Sequence, residues 1–268
     1  MSLRITQNID ALDSYRNLNK TSMNISKSMQ RLSSGYRINS AADDAAGLGI
    51  SEAMRSQIRG LAQAQKNIQD GSSMVQTAEG NLDEVHSMLQ RIRELAVQYK
   101  NGSNDDTART SIQDEVNQLA CEINRIGSSA SFNGVSLLSG GATVSFQVGA
   151  NDGEMVGIDF LDLATAVGTS YATLSMTDTS DISEIDQAIT AVSAARGEMG
   201  AVQNRLDHTL SVSAAYQENL TSAESRIRDV DMAEEMVSLT KNQILSQAGT
   251  AMLSQANQAP QSVLKLLG

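Results

Sequence analysis

Met54, Leu61, Ile68, Val75, Leu82, Leu89 and Ala96 recur at strict intervals of seven. An α-helix turns once in about 3.6 residues, so such a row drifts only slowly and stays on one face. A strand, with its period of two, would scatter the same side chains over both faces. The stretch is therefore a long helix with one narrow apolar stripe, and a stripe of that width is covered by another helix. The positions three residues further on are small in the first half, Ala64, Gly71 and Ala78, and branched in the second, Val85 and Ile92. That gradient predicts a packing distance that widens along the helix. Lys100-Asn101-Gly102-Ser103-Asn104-Asp105 ends it.

Three other stretches repeat the device. Ile185, Val192, Met199, Leu206, Ser213, Leu220 and Ile227 form a second row, which runs on into Val230, Val237, Ile244 and Ala251 near the carboxyl end. Ala11, Leu18, Ile25 and Leu32 form a row near the amino end, on a helix expected from about Arg4 to Ser33 that stops at Gly35. The chain's only proline, Pro260, is held back almost to the terminus. Each terminal helix thus offers one thin seam, too little contact to offset the entropy of ordering it. The two ends want partners from other chains, and the seam residues Leu18, Ile25, Leu32, Val230, Val237, Ile244 and Ala251 are the candidate polymerisation surface.

Between the long helices, Ile112, Val116, Leu119, Ile123 and Ile126 follow spacings of four and three, so a shorter helix turns back as a helical hairpin. Asp43 and Asp44 suit the amino end of a new helix, and Gly47 and Gly49 permit close approach of a neighbouring backbone. A joint falls there, separating a terminal rod, residues 1–42 with 229–268, from an inner domain, residues 43–228. From Phe132 the period changes to two: Val144 to Val148 alternate, and Asn133-Gly134, Gly140-Gly141 and Asn151-Asp152-Gly153 punctuate short runs. This predicts β hairpins at about 132–160. Residues 162–184 have weak periodicity and read as a surface connection, with the Ser and Thr between 170 and 180 candidates for O-linked sugars. The fold class is mainly α, a long antiparallel helical bundle or coiled coil with a small β-hairpin region and paired amino- and carboxyl-terminal helices.

Composition excludes several functions. Residues 1–40 carry six bases and two acids and residues 229–268 two bases and four acids, so the net charge of −11 is concentrated in the middle. An acidic middle without a basic stripe argues against nucleic acid and membrane surfaces as partners. No apolar run approaches the roughly 18 residues of a membrane span, and the start lacks the core of a secretory signal, so composition by itself suggests a cytoplasmic protein. The single Cys121 sits in a helical pattern and reads as a small buried residue. His86 and His208 have no histidine or cysteine at ligand spacing and read as surface or seam residues, while Glu94 and Glu115 lie near bases as ion-pair partners. There is no glycine-rich phosphate loop; no catalytic residue, metal ligand or cofactor is expected.

Ser33-Ser34-Gly35, Arg37-Ile38-Asn39-Ser40-Ala41 and Asp43-Asp44-Ala45-Ala46-Gly47-Leu48 resemble the amino-terminal signature of bacterial flagellins. Gln76-Thr77-Ala78-Glu79-Gly80 and Leu89 to Gln98 resemble that family's inner core; Gly200 to Arg205, Ala223 to Asp229 and Gln255 to Gln258 resemble its carboxyl end. The resemblance spans roughly residues 1–160 and 180–268. It implies a filament subunit used for swimming, exported unfolded without a cleaved signal peptide by the flagellar type III apparatus and polymerised at the tip beneath a cap. Such a protein is extracellular, which reverses the cytoplasmic reading. The resemblance also implies self-association through paired termini lining inner tubes, and an export chaperone holding the carboxyl-terminal helix. The short segment between Phe160 and Asp181 lacks the variable outer domains of larger members, so the filament is expected to be thin and smooth.

The same resemblance implies a further partner. Arg91, Leu95 and Glu115 match residues through which flagellins bind the host's flagellin-sensing Toll-like receptor. Heptad phase places Leu89, Ile92 and Ala96 on the core side, so Leu95 is expected among charges on the outer face. Two other structural readings share the heptads: a hook–filament junction protein, against which the middle signature argues, and a cytoplasmic signalling hairpin, against which the β region and capped joint argue.

Overall fold

The computed structural model of the chain describes residues 8–140, 143–168 and 181–267, with 259–267 as backbone only. The helices are α1 (Ile9–Ser34), α2 (Ala45–Tyr99), α3 (Asp106–Ser129), α4 (Leu163–Val167), α5 (Asp181–Arg228) and α6 (Met232–Leu267). Strands β1 (Ser131–Phe132) and β2 (Val135–Ser136) form one antiparallel pair, β3 (Thr143–Gln147) and β4 (Met155–Asp159) another. The fold is mainly α, as the heptads require. It divides into two compact units, residues 1–56 with 219–268 and residues 57–218. Both boundaries lie further inward than the Asp43 joint, within α2 and α5.

The terminal unit is built on the antiparallel pair α1 and α6. Asn8 caps α1, its Oδ1 accepting from the Ala11 N–H across 3.1 Å, and its Nδ2 donates to the Ala256 carbonyl at 2.7 Å. The predicted start at Arg4 lies outside the described residues. At the other end Gly35 takes φ +75°, a left-handed conformation that ends the helix without a Cβ penalty. The chain then pairs as a short ladder: Tyr36 bridges Asp229, the Arg37 N–H donates to the Arg228 carbonyl at 2.7 Å, and the Val230 N–H donates to Gly35 at 3.0 Å. This ladder breaks α5 from α6, where the sevenfold row had read as continuous. Asp231 caps α6, accepting from the Ala233 N–H at 2.9 Å.

Asp44 Oδ1 accepts from the Gly47 N–H at 2.9 Å, the cap expected of it. Gly47 is required by side chains rather than a backbone, since a Cβ there would press on Asp44 and the buried Ile38, and Gly49 faces open space.

In the other unit the heptad residues Leu61, Ile68, Val75, Leu82, Leu89 and Ala96 of α2 are all buried, as are Ile185, Val192, Met199 and Leu206 of α5. Ile112, Val116, Ile123 and Ile126 of α3 close the same core. The small positions of α2 receive the β region: the Phe146 ring lies 3.4 Å from where a Cβ on Gly71 would stand, and Ala150 crowds Gly60. Asn133, φ +47°, and Gly134, φ +81°, make the two-residue turn between β1 and β2 that their Asn-Gly sequence predicts. Residues 162–168 are not the surface connection expected: Leu163 and Val167 of α4 are buried in the core, and Asp162 accepts from Thr165 Oγ1 at 2.7 Å. The serines and threonines between 170 and 180 lie outside the described residues.

Candidate functional site

Burial along α1 repeats with the heptad. Ala11, Leu18, Ile25 and Leu32, with Ser14, Thr21 and Ser28 between them, form the face turned from solvent. On α6 the corresponding face is Glu235, Leu239, Asn242, Ser246, Gly249, Leu253 and Ala256. Gly249 admits Leu18, whose Cδ1 stands 3.4 Å from where a Cβ would be, and Arg31 reaches Glu235 at 3.4 Å. The pairing face of α6 is therefore small and partly polar.

The apolar row read from the sequence lies elsewhere on α6. Val237 falls two residues before Leu239 and two after Glu235, about 200° round from each, so it occupies the side opposite the pairing face. Val237 is 68% exposed and Ile244 65%, and Ala251 is exposed with them. Met236 on one flank of this row and Leu245 and Met252 on the other are also exposed, and half-buried Val230 stands at the ladder before it. A single amphipathic reading assumes one apolar side per helix; α6 has a polar pairing side and an apolar open one.

Charge fixes the joint. Lys27 Nζ sits 2.8 Å from Asp43 Oδ1, and Asp43 also accepts from the Asn39 and Ser40 N–H groups. The Lys27 hydrogen bond holds the Asp43 carboxyl at about 2. Arg228 donates to Glu52 at 2.6 Å while stacking 4.8 Å from the Tyr36 ring centroid. That bond, with help from Arg55, lowers the Glu52 pKa. Sequence reasoning found Asp43 as a cap but missed Lys27, Glu52 and Arg228, whose partners are distant in sequence.

Arg91 and Glu115 do come together. Arg91 Nε donates to Glu115 Oε1 at 3.0 Å and its Nη1 to Glu94 at 3.1 Å, with both members of the first pair about half exposed. Glu115, then Glu94, hold the guanidinium more firmly protonated. Leu95 is not on the outer face: it is 2% exposed, within the core that includes Leu89, Ile92 and Ala96. Cys121 is likewise exposed rather than buried. His86 forms a 2.9 Å hydrogen bond with Gln90 on the helix surface.

Among the described residues no three His, Cys, Asp or Glu side chains gather to hold a metal, and no helix is long and apolar enough to cross a membrane. A cavity of about 120 Å³ between α3 and α4, lined by Ile123, Asn124, Gly127, Leu138 and Leu163 among others, carries no titratable group. Long seam-packed helices and an uncovered apolar row are the features of a chain built to associate.

A family model described as the bacterial flagellin N-terminal helical region matches residues 5–143, and one described as the C-terminal helical region matches residues 182–267. The chain is 52% identical over 270 residues to a flagellin of Halalkalibacterium halodurans, covering 98% of this chain and 99% of that one. It is 48% identical over 303 residues to a flagellin of Bacillus subtilis, covering 99% and 100%. The crystal structure of Bacillus cereus flagellin superposes with a TM-score of 0.50 at 30% identity, over 55% of this chain and 88% of that one. The chain belongs to the bacterial flagellin family: it is a structural subunit of the flagellar filament and not an enzyme.

Proposed function

We propose that the open apolar row of α6, Val237, Ile244 and Ala251, is the surface through which copies of this chain contact one another in the filament. The carrying observation is the exposure of Val237 and Ile244 on the side of α6 away from α1. A regular row of large apolar side chains left in water marks an association surface. Leu18, Ile25 and Leu32 serve assembly indirectly, by holding α1 on the opposite side of α6 so that the row stays open. Val230 anchors the start of the row at the ladder. The polymerising rod comprises residues 1–42 and 229–268, within the terminal unit that carries the row.

The same row needs cover before assembly, which supports an export chaperone on α6. Family membership supports the rest of the route: passage of the unfolded chain through the flagellar type III apparatus without a cleaved signal, growth beneath a cap at the tip, and an extracellular location. Thin packing of the terminal unit suits a chain that must be unfolded for passage.

For the host Toll-like receptor, the half-exposed Arg91–Glu115 pair supports a charge-assisted contact, while Leu95 contributes from beneath by packing. Reporter cells titrated with monomer should lose potency with Arg91→Ala or Glu115→Ala; unchanged potency in both, or an inert wild-type monomer, removes the receptor.

Seeded elongation tests the main reading. Val237→Lys and Ile244→Lys subunits should keep their far-UV circular dichroism and fail to extend seeds, because a lysine there is desolvated without a partner. Normal extension by either variant would place the row on a free surface.

A further inference from the structure

Six methionines are exposed among the described residues: Met23, Met29, Met155, Met232, Met236 and Met252. Five of them stand on α1 and α6, leaving only Met155 in the other unit, whose Met74 and Met199 are 3% and 1% exposed. Met23 lies two residues before the half-buried Ile25, so it stands opposite the pairing face of α1 as Val237 does on α6. Met236 adjoins Val237 and Met252 adjoins Ala251, each exposed on the border between the open row and the pairing face. Met29, four residues after Ile25 and three before Leu32, and Met232, three before Glu235, border the pairing faces yet stay exposed, so the oxidisable thioethers are concentrated on the solvent-exposed surface of the two terminal helices.

We propose that Met23, Met29, Met232, Met236 and Met252 are oxidation sites at which a hypohalous acid withdraws the free subunit from assembly. The inference rests on the reading of the exposed surface of the terminal helices as the surface between copies. With hypochlorous acid the step balances: the oxygen passes to the thioether sulfur, which loses two electrons, and chlorine leaves as chloride with one proton. A flexible apolar side chain becomes a polar sulfoxide whose oxygen demands a hydrogen bond. In the free subunit water supplies it and the fold is unaffected. Covered by a neighbouring copy it is buried without a partner. Burial in the assembled filament shields the same sulfurs, so the modification acts on subunits and spares filament.

The exposed Cys121 thiol would react with the same oxidant, so the test uses full-length Cys121→Ser subunit. Monomer is treated with hypochlorous acid, mapped by peptide mass spectrometry and offered to seeds. Elongation should fall about tenfold or more with unchanged circular dichroism, and recover on treatment with the two methionine sulfoxide reductases that serve the two epimers. The five sites should oxidise ahead of Met74 and Met199 in monomer and be protected in filament. A variant with all five changed to leucine should keep its elongation rate through oxidation. Undiminished elongation by oxidised subunit, failure of the reductases to restore it, or equal loss in the leucine variant overturns the proposal. Should the leucine variant not elongate even untreated, reductase recovery of the methionine-bearing subunit decides alone. Untreated Val237→Lys keeps the two readings apart: its failure beside full activity of oxidised subunit refutes the oxidation sites only, and its normal elongation refutes the surface.

Discussion

Leu95 shows how a single position can be misplaced by a correct period. The row Leu89, Ile92, Ala96 fixes the core side of α2 for a helix meeting one partner, and on that count Leu95 falls among charges. In this unit α2 packs in one core with α3 and α5, so a wider arc is buried and Leu95 joins it. Leu95→Ala should therefore cost about 2–5 kcal/mol in urea unfolding, whereas Arg91→Ala and Glu115→Ala should each cost about 1 kcal/mol or less. Equal effects would return Leu95 to the surface. Cys121 was misread by one step: Ala120 carries the buried position on α3 and its neighbour points out. Asp43 supplies a pH signature. Its folded pKa of about 2 lies below the ordinary 3.8, so it contributes stability that is present above about 3.8 and lost as pH falls through about 2. An Asp43→Asn subunit should lose less stability than wild type over that interval in acid titrations monitored by circular dichroism; identical acid profiles would deny the Lys27 pairing.

Helices, turns and hairpins were legible because each is written in local residues. Gly35 ends α1, Asp44 caps α2 by accepting from the Gly47 N–H at 2.9 Å, and Asn133-Gly134 turns the first hairpin. What was not legible is which side of a helix finds a partner within the chain. On α6 the pairing face mixes Glu235, Asn242, Ser246 and Gly249 with Leu239 and Leu253, and nothing local ranks it above the more apolar row opposite. The two faces should respond differently in the monomer. Val237→Lys, at an exposed position, should change stability by about 0.5 kcal/mol or less. Leu239→Lys, at a position 6% exposed against α1, should lower monomer helicity and speed protease cleavage within residues 8–34. Equal behaviour of the two variants would contradict the assignment of faces. The short helix α4 was missed because two buried residues, Leu163 and Val167, are too few to establish a period.

At the scale of the whole molecule, stability is unevenly distributed. Residues 57–218 share a core of buried side chains from α2, α3, α4, α5 and the β region, while the terminal unit closes over a single seam and a charged joint. Limited proteolysis of monomer should trim the two ends first and leave a helical fragment near 57–218 that no longer extends seeds. The uneven distribution agrees with the proposal that the terminal helices pack against other copies in the filament. A helical reconstruction of the assembled filament, resolved to side chains, tests this most directly. The account predicts Val237 and Ile244 buried against helices of neighbouring copies, with Leu18, Ile25 and Leu32 still facing α6 of their own chain. Val237 and Ile244 open to solvent or to an empty lumen would contradict it.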